Sequence, residues 1–195
     1  MKTTLTTAAA IFSLAFGTAA LADATSTTVQ RDANQQERIE QGLKSGELNT
    51  KEAGKLEREE TKVEHDQAKA LQDGKVTAAE HAKLAAEQNK VSQDIHDQKH
   101  DAQVGNPNSA SSQRMQADVQ RNVNQQERIE QGVKSGALTN HEAGALEKGQ
   151  AHDTRVESRA AANGHVGAAE QKHIQTAENR QSKHVFNKKH NARTE

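Results

Sequence analysis

The nine-residue stretch NQQERIEQG occurs twice in the chain, at Asn34–Gly42 and at Asn124–Gly132. Outward from this match, residues 29–104 align with residues 119–194 at a constant offset of 90 without gaps, and 32 of the 76 aligned positions are identical. A repeat of this length indicates a fold built from two related units. Residues 105–118 lie between the copies, contain the only proline and are rich in Asn and Ser, which predicts a flexible linker.

Helix-forming sequence in each copy is interrupted at regular places. Gly46 and Gly74 suit the left-handed residue that follows a helix end, and capping boxes begin at Asn49, Thr77 and Thr139. We therefore predict an all-α fold of two tandem three-helix units, built as helical hairpins with tight loops and a thin core. The predicted helices are 30–45, 50–72, 77–102, 120–135, 140–162 and 168–191.

The composition limits the core that these helices can form. The 195 residues include three Phe and no Trp, Tyr or Cys, which excludes a large aromatic core, a disulfide scaffold and a cysteine-based site. Apolar residues fall at helical spacing, as in Leu84/Val91/Ile95, but the stripe is too narrow for a zipper-type seam. Such helices are stable only when they pair, because isolated helices are marginal in water. The alternative is a largely disordered chain that folds on a partner.

Residues 1–22 have the features of a signal peptide. Lys2 gives a positive start, residues 8–16 (AAAIFSLAF) form an apolar run too short to span a bilayer, and the small residues around Leu21 suit cleavage between Ala22 and Asp23. An uncleaved N-terminal anchor is the alternative. We expect a periplasmic or secreted bacterial protein with no transmembrane segment after cleavage.

The two copies differ in charge. Residues 29–104 have a formal charge of −4 and residues 119–194 one of +4, within a whole-chain charge of −1. This difference predicts docking of one copy on the other, within a chain or between chains. The alternative is drift of solvated helix faces after duplication. A basic tail near Lys188 and Lys189 suits an anionic envelope surface, and no nucleic-acid partner is expected because aromatic stacking residues are missing.

The four loops share a frame of Gly, an aliphatic residue and Glu at the sixth, eighth and twelfth places: Gly46/Leu48/Glu52, Gly74/Val76/Glu80, Gly136/Leu138/Glu142 and Gly164/Val166/Glu170. This frame resembles the EF-hand calcium loop. The first, third and fifth places, which supply oxygen ligands in that loop, hold Asp73 as their one carboxylate, whereas Lys69 and Arg159 are cationic. We therefore expect backbone caps to hold the loops without calcium.

A second resemblance rests on IEQGLKSGEL at 39–48 followed by EAGKLE at 52–57. This string is similar to a group of small exported proteobacterial proteins, and the resemblance covers both copies. It implies export and helical character, and it supplies no catalytic residues.

Ten histidines are the main sign of metal chemistry. His96 and His100 are four residues apart, a helical spacing that can hold Zn²⁺, Cu²⁺ or Ni²⁺, and Asp97 and Asp101 can add oxygen ligands or support. The sequence therefore leaves two interpretations open, a weak divalent-metal site or ordinary surface histidines. An exchange typical of a solvated polar face is seen at four His that align with Lys in the first copy: His141, His152, His165 and His173.

No catalytic arrangement is visible in the sequence. It contains no Cys, no G-x-S-x-G and no phosphate-binding G-x-x-x-x-G-K, and carboxylates alternate with bases at helical spacing, as in Glu40/Lys44. We expect an exported, non-enzymatic protein for interaction or scaffolding in the periplasm, with a protein partner or by self-association. The alternative function is divalent-metal binding, as a buffer or sensor. If the shared run carries the contact, the candidate residues are Glu37, Arg38, Gln41, Glu127, Arg128 and Gln131; otherwise they simply face water.

Overall fold

The computed structural model describes residues 16–191, with side chains from Ala24 onward. No strand occurs in this part of the chain, so the predicted all-α class is confirmed. Most of the predicted signal peptide, and the side chains of Ala22 and Asp23 at its predicted cleavage site, lie outside what is described. The helices are α1 Phe16–Ser45, α2 Thr50–Ala70, α3 Ala78–Lys99, α4 Ala110–Lys134, α5 Asn140–Ala160 and α6 Ala168–Lys189, with a 3-10 turn at Ala161–Asn163.

The predicted caps set the helix starts. The Asn49 side chain accepts a hydrogen bond from the Glu52 backbone N–H at 3.0 Å, and the Glu52 carboxylate accepts one from the Asn49 N–H at 2.9 Å. Capping boxes also form at Thr77 and Thr139, as the sequence predicts. Gly46 has a φ of 81°, in the left-handed region that favours glycine, and it closes the end of α1.

The segment between the copies differs from the flexible linker predicted for 105–118. α4 begins at Ala110, so nine of these fourteen residues are helical. Ser109 caps this start by accepting a backbone hydrogen bond at 3.1 Å, and Met115 in the added turns is fully buried. The Gly105 N–H donates to the loop after α1 at 2.8 Å. The polar residues that are typical of a linker therefore serve here as a cap and as packed helix.

The two copies pack face to face. α1 runs antiparallel to α4, since Ser26 reaches Glu130 near one end and Gln116 reaches the Leu43 carbonyl near the other. α2 and α5 pair in the same way. These two pairs form two layers. An approximate two-fold axis relates the two copies, since Gly54 lies against Ala161 while its equivalent Gly144 lies against Leu71, the equivalent of Ala161. α3 lies against α1 and α2 on one flank, and α6 lies against α4 and α5 on the opposite flank.

Both apolar clusters of the core combine residues from the two copies. In one, Ile39 and Leu56 of the first copy join Ile174 of the second; in the other, Val29 joins Ile129. Val29 lies in a part of α1 that precedes the predicted helix start at residue 30. Each three-helix unit thus completes its core with the other copy, so the copies dock within the chain. Opposite charge is not what joins them, because each ion pair among the described residues lies within a single copy.

Candidate functional site

The outer surface of the α2/α5 layer is almost entirely basic. These two helices have twelve exposed positions, and Ala145 is the only one that does not hold Lys, Arg or His. We call the surface formed by the other eleven the cationic face. Its residues are Lys51, Lys55, Arg58, Lys62, His65 and Lys69 of α2 and His141, Lys148, His152, Arg155 and Arg159 of α5.

Helical periodicity places these residues on one surface. The basic positions of α2 follow one another at alternating intervals of four and three residues from Lys51 to Lys69, and α5 repeats the pattern at the offset of 90 except at Ala145. Such intervals keep side chains on one side of a helix. Each helix has 21 residues, so the cationic face extends over about 30 Å.

More than half of the cationic face lacks a neutralising carboxylate. Lys62 pairs with Glu87 at 2.7 Å, and Lys69 lies 3.8 Å from Asp66. Six other cations form no ion pair within the described residues: Lys51, Lys55, Arg58, Lys148, Arg155 and Arg159. Cations of this kind keep their charge available for an external anion.

A cleft of about 520 Å³ opens on the cationic face. Its lining includes all three arginines of the face and no acidic side chain, and we call it the arginine cleft. Thr61, which lines the cleft, has its hydroxyl oxygen 2.9 Å from that of Thr154, a contact that joins α2 to α5. The residues that line the arginine cleft are Arg58, Thr61, Lys62, His65, Arg155, Ser158 and Arg159.

A second cleft, of about 310 Å³, lies at the symmetry-related place, and we call it the lysine cleft. At the offset of 90, Lys148 takes the place of Arg58, and Lys69 takes the place of Arg159. An alanine methyl replaces the serine hydroxyl. The two clefts therefore share four equivalent lining positions, the fourth being His65 in the place of Arg155, and they differ in the chemistry of their cations. The lysine cleft is lined by His65, Ala68, Lys69, Gln72, His141, Gly144, Ala145 and Lys148.

Nine acidic side chains are buried beneath and beside the cationic face, and we call them the interior carboxyls. Burial away from water is the main cause that raises the pKa of each one, to about 7 for Asp32 and Asp118 and to about 8 for Glu57 and Glu178. Burial therefore favours the protonated form of these carboxyls. The interior carboxyls are Asp32, Glu57, Glu60, Glu64, Asp118, Glu147, Asp153, Glu157 and Glu178.

Acids and amides change places between the two copies in this interior. Gln88 donates to Asp32 Oδ1 at 2.5 Å in the first copy, and Asn122 donates to Glu157 Oε2 at 2.8 Å in the second. Burial thus places amide donors against carboxyl acceptors, which is how buried polar groups are satisfied. Four pairs of equivalent buried positions show the exchange: Asp32/Asn122, Glu60/Gln150, Gln67/Glu157 and Gln88/Glu178.

Glu60 is the most isolated of the interior carboxyls. Neither of its oxygens has a hydrogen-bond partner within the described residues. Burial raises its pKa well above the ordinary value, and the nearby charges of Asp32, Glu57 and Glu59 raise it further, opposed by Arg38. Protonation is therefore the form of Glu60 that fits the folded interior.

Two glutamines of the α1/α4 layer donate hydrogen bonds to interior carboxyls of the α2/α5 layer. Gln126 Nε2 donates to Glu64 Oε1 at 3.3 Å and to Glu147 Oε2 at 3.2 Å. Its equivalent in the first copy, Gln36, donates to the single carboxyl of Glu57 at 3.0 Å. Gln126 thus bridges the two copies, whereas Gln36 acts within one.

The predicted metal residues lie around the C-terminal end of α3. The exposed rings of His96 and His100 have centroids 4.2 Å apart, and His100 Nδ1 lies 2.7 Å from the His96 carbonyl oxygen. Asp97 is exposed, and Asp101 accepts a hydrogen bond from the Gln103 N–H at 2.7 Å. Within the described part of the chain, no three His, Asp or Glu side chains are grouped to hold a metal ion.

The predicted contact residues divide between two environments. Arg38 donates to the Ser92 carbonyl at 3.0 Å, and Arg128 donates to the Ser182 carbonyl at 3.2 Å. The two arginines therefore tie α1 to α3 and α4 to α6. The remaining four are exposed on the outer surface of the α1/α4 layer: Glu37, Gln41, Glu127 and Gln131.

The glutamates at the twelfth place of the loop frame serve as helix caps, as the sequence predicts. In Glu80, the hydrogen bonds from the Thr77 hydroxyl and N–H hold the pKa of the carboxyl below its ordinary value. The four accept backbone N–H hydrogen bonds in the same way: Glu52 from Asn49 at 2.9 Å, Glu80 from Thr77 at 2.8 Å, Glu142 from Thr139 at 3.3 Å and Glu170 from Gly167 at 2.7 Å.

Sequence reasoning misses the cationic face, although the sequence carries its signal. The intervals of four and three residues between basic side chains in 51–69 and 141–159 are visible without coordinates. The exchanges Lys51/His141 and Lys62/His152 indicate a solvated polar face, and they are in fact two positions of the cationic face. The pairing of α2 with α5 is what joins two basic stripes into one surface.

Comparison of the chain with protein-family models, curated proteins and solved structures gives no match. No helix in the described part of the chain is both long enough and apolar enough to cross a membrane. The function must therefore be argued from the cationic face and the interior beneath it.

Proposed function

We propose that the chain is an exported, non-enzymatic interaction protein of the periplasm that docks on an anionic lipid surface through the cationic face. The observation that carries this proposal is the basic character of eleven of the twelve exposed positions on α2 and α5. A paired-helix surface about 30 Å long presents many cations at once. Each basic residue near an anionic leaflet contributes about 1 kcal/mol of attraction.

The interior carboxyls add to this positive field. The formal net charge of −1 counts all of them as ionised. Burial favours their protonated form, which makes the net charge more positive because a protonated carboxyl no longer offsets a cation on the surface. Protonation of these carboxyls therefore makes the protein more cationic, and six cations without an ion pair lie on the outer surface of the α2/α5 layer.

A lipid surface fits the cationic face better than a protein or a nucleic acid does. Among the described residues, the large apolar side chains that are exposed are Val104 and Phe186, and neither lies on the cationic face. Protein interfaces rely on buried aromatic or apolar anchors, and single-stranded nucleic acids stack on aromatic rings. Separate anionic headgroups need only a surface that carries many cations.

Co-sedimentation with lipid vesicles tests the proposal. The purified protein should bind vesicles that contain phosphatidylglycerol, should ignore vesicles of phosphatidylcholine alone, and should dissociate as salt screens the attraction. Three unpaired cations of the face are changed together in the variant Lys51→Glu/Lys55→Glu/Lys148→Glu. We expect this variant to bind at least about tenfold more weakly.

The matched control places the same charge change on the flank, in Lys172→Glu/Arg180→Glu/Lys183→Glu of α6. These exposed residues lie outside the cationic face. The control should lose less than about threefold, since its charges do not face the lipid. An equal loss in both variants, or equal binding to both kinds of vesicle, contradicts docking through the cationic face.

A further inference from the structure

We infer that the arginine cleft is a discrete site for a phosphate-bearing ligand of the phosphomonoester or polyphosphate class. The inference deepens the proposed function, since both place anionic groups on the cationic face. It goes further by distinguishing one place on that face, where the cations are built to recognise phosphate, from the rest, where they supply only charge.

The distribution of arginine carries the inference. The cationic face holds eight side chains that are Lys or His, and its three arginines all line this one cleft. Arg58 comes from α2, and Arg155 and Arg159 come from α5 one helical turn apart. A guanidinium group presents planar, paired N–H donors that match two phosphate oxygens, whereas an ammonium group acts as a point charge.

These arginines are free of internal partners. None of Arg58, Arg155 and Arg159 forms an ion pair within the described residues. Lys62 at the edge of the arginine cleft is already paired with Glu87 at 2.7 Å. The volume of about 520 Å³ lies within the range of small-molecule sites, so the cleft accommodates several linked phosphates.

The lysine cleft supplies an internal comparison. It occupies the symmetry-related place, between the same two helices, with Lys148 and Lys69 where the arginine cleft has Arg58 and Arg159. Arg155 is matched there by His65, so attraction by charge alone predicts that both clefts bind, the lysine cleft more weakly. Recognition of phosphate by guanidinium groups predicts binding in the arginine cleft alone.

Calorimetric titration with inorganic tripolyphosphate tests the site on the purified protein. The double variant Arg58→Gln/Arg159→Gln should weaken binding at least tenfold. Its matched control, Lys69→Gln/Lys148→Gln, removes the same charge from the equivalent positions and should change the affinity less than twofold. Equal losses in the two variants, or no binding of tripolyphosphate by the unmodified protein, overturn the inference.

A charge-conserving variant separates this inference from the proposed function. Arg58→Lys/Arg155→Lys/Arg159→Lys keeps every cation of the face and removes every guanidinium group. Binding to phosphatidylglycerol vesicles should stay within twofold, while the tripolyphosphate affinity should fall at least fivefold. An unchanged tripolyphosphate affinity overturns the site and leaves docking through the cationic face intact.

Vesicles distinguish the two sources of the phosphate group. Phosphatidic acid carries a phosphomonoester, and phosphatidylglycerol carries a diester. At matched surface charge, a lipid-borne ligand predicts that the charge-conserving variant loses more affinity for phosphatidic acid than for phosphatidylglycerol. If the charge-conserving variant loses equally little affinity for both lipids, while calorimetry shows a loss of affinity for tripolyphosphate, the ligand of the site is a free polyphosphate.

Discussion

The first and second copies are alike on the outside of the α2/α5 layer and complementary on the inside. On the outside, a cation in one copy is matched by a cation in the other at five of six equivalent positions. On the inside, a carboxyl such as Asp32 is matched by its amide, here Asn122. Two buried carboxyls that face each other repel, whereas a carboxyl and an amide form a hydrogen bond. The exchange keeps an acid and an amide together inside each copy, as Gln88 with Asp32 in the first and Asn122 with Glu157 in the second.

The same difference between outside and inside explains how α2 and α5 carry many acidic and many basic side chains. α2 turns its cations to water and turns Glu57, Glu60 and Glu64 inward. A cation at the surface keeps its hydration, while a carboxyl in the interior remains neutral by keeping its proton. The pH at which that proton is lost sets the conditions under which the two copies stay together.

The largest expected effect is a fall in stability as the pH rises. The pKa is about 7 for Asp32 and about 8 for Glu57 in the folded chain, against about 4 in an unfolded chain. Between these values the folded state holds protons that the unfolded state has released. Each such group therefore lowers the free energy of unfolding by about 1.4 kcal/mol for every pH unit of increase. The contribution of these protonated carboxyls to stability is fully present below about pH 4, decreases as the pH rises, and is lost once the pH exceeds 7 to 8. Urea unfolding followed by circular dichroism should show a loss of at least about 3 kcal/mol between about pH 5 and pH 8.5.

Glu60→Gln provides the control for this pH dependence, because it copies the amide that Gln150 places in the second copy. Above about pH 8 the variant should be more stable than the unmodified protein by about 1–2 kcal/mol, since it cannot ionise in the interior. Near pH 5 the two proteins should agree within about 0.5 kcal/mol. A stability that stays constant or rises with pH shows that the interior carboxyls are already ionised in the folded chain.

Replacement of the amide donors themselves affects one or two carboxyls, whereas a change of pH affects all nine. Gln126→Glu removes the donor shared by Glu64 and Glu147, whereas Gln36→Glu removes the donor of Glu57 alone. An unsatisfied buried acceptor costs about 1–3 kcal/mol. At pH 8 we therefore expect Gln126→Glu to lose about 2–4 kcal/mol and Gln36→Glu about half of that, as measured by urea unfolding. Equal losses show that Gln126 contributes nothing across the copies beyond what Gln36 contributes within one.

Local features of the fold follow from the sequence, and its non-local features do not. Capping boxes at Asn49, Thr77 and Thr139 depend on residues three apart, so composition and spacing are enough to predict them. The early start of α4 depends on burial of Met115 against the first copy, which no local pattern reports. The sequence alone predicts that Glu60 is exposed to water, because glutamate is seldom buried.

The candidate site shows the same division. Each basic stripe can be derived from the intervals of 3 and 4 residues along α2 and α5. The arginine cleft cannot, because Arg58 meets Arg155 and Arg159 only through the antiparallel register of the two helices. That register is fixed by contacts such as Thr61 to Thr154, between residues 93 positions apart in the chain.

The smallest expected effect concerns the helix ends where the two copies differ in one ring. In the first copy His96 lies against His100 at 4.2 Å, and in the second Phe186 stacks on His190 at 4.1 Å. His96→Phe makes the first end resemble the second, so the free energy of unfolding should change by less than about 0.5 kcal/mol. Calorimetric titration with Zn²⁺ should show binding weaker than about micromolar in the unmodified protein, because two imidazoles leave most of the coordination shell to water, and no heat in the variant. Submicromolar binding that disappears in His96→Phe supports the alternative function of a divalent-metal buffer, since the ring stack is kept while a ligand is lost.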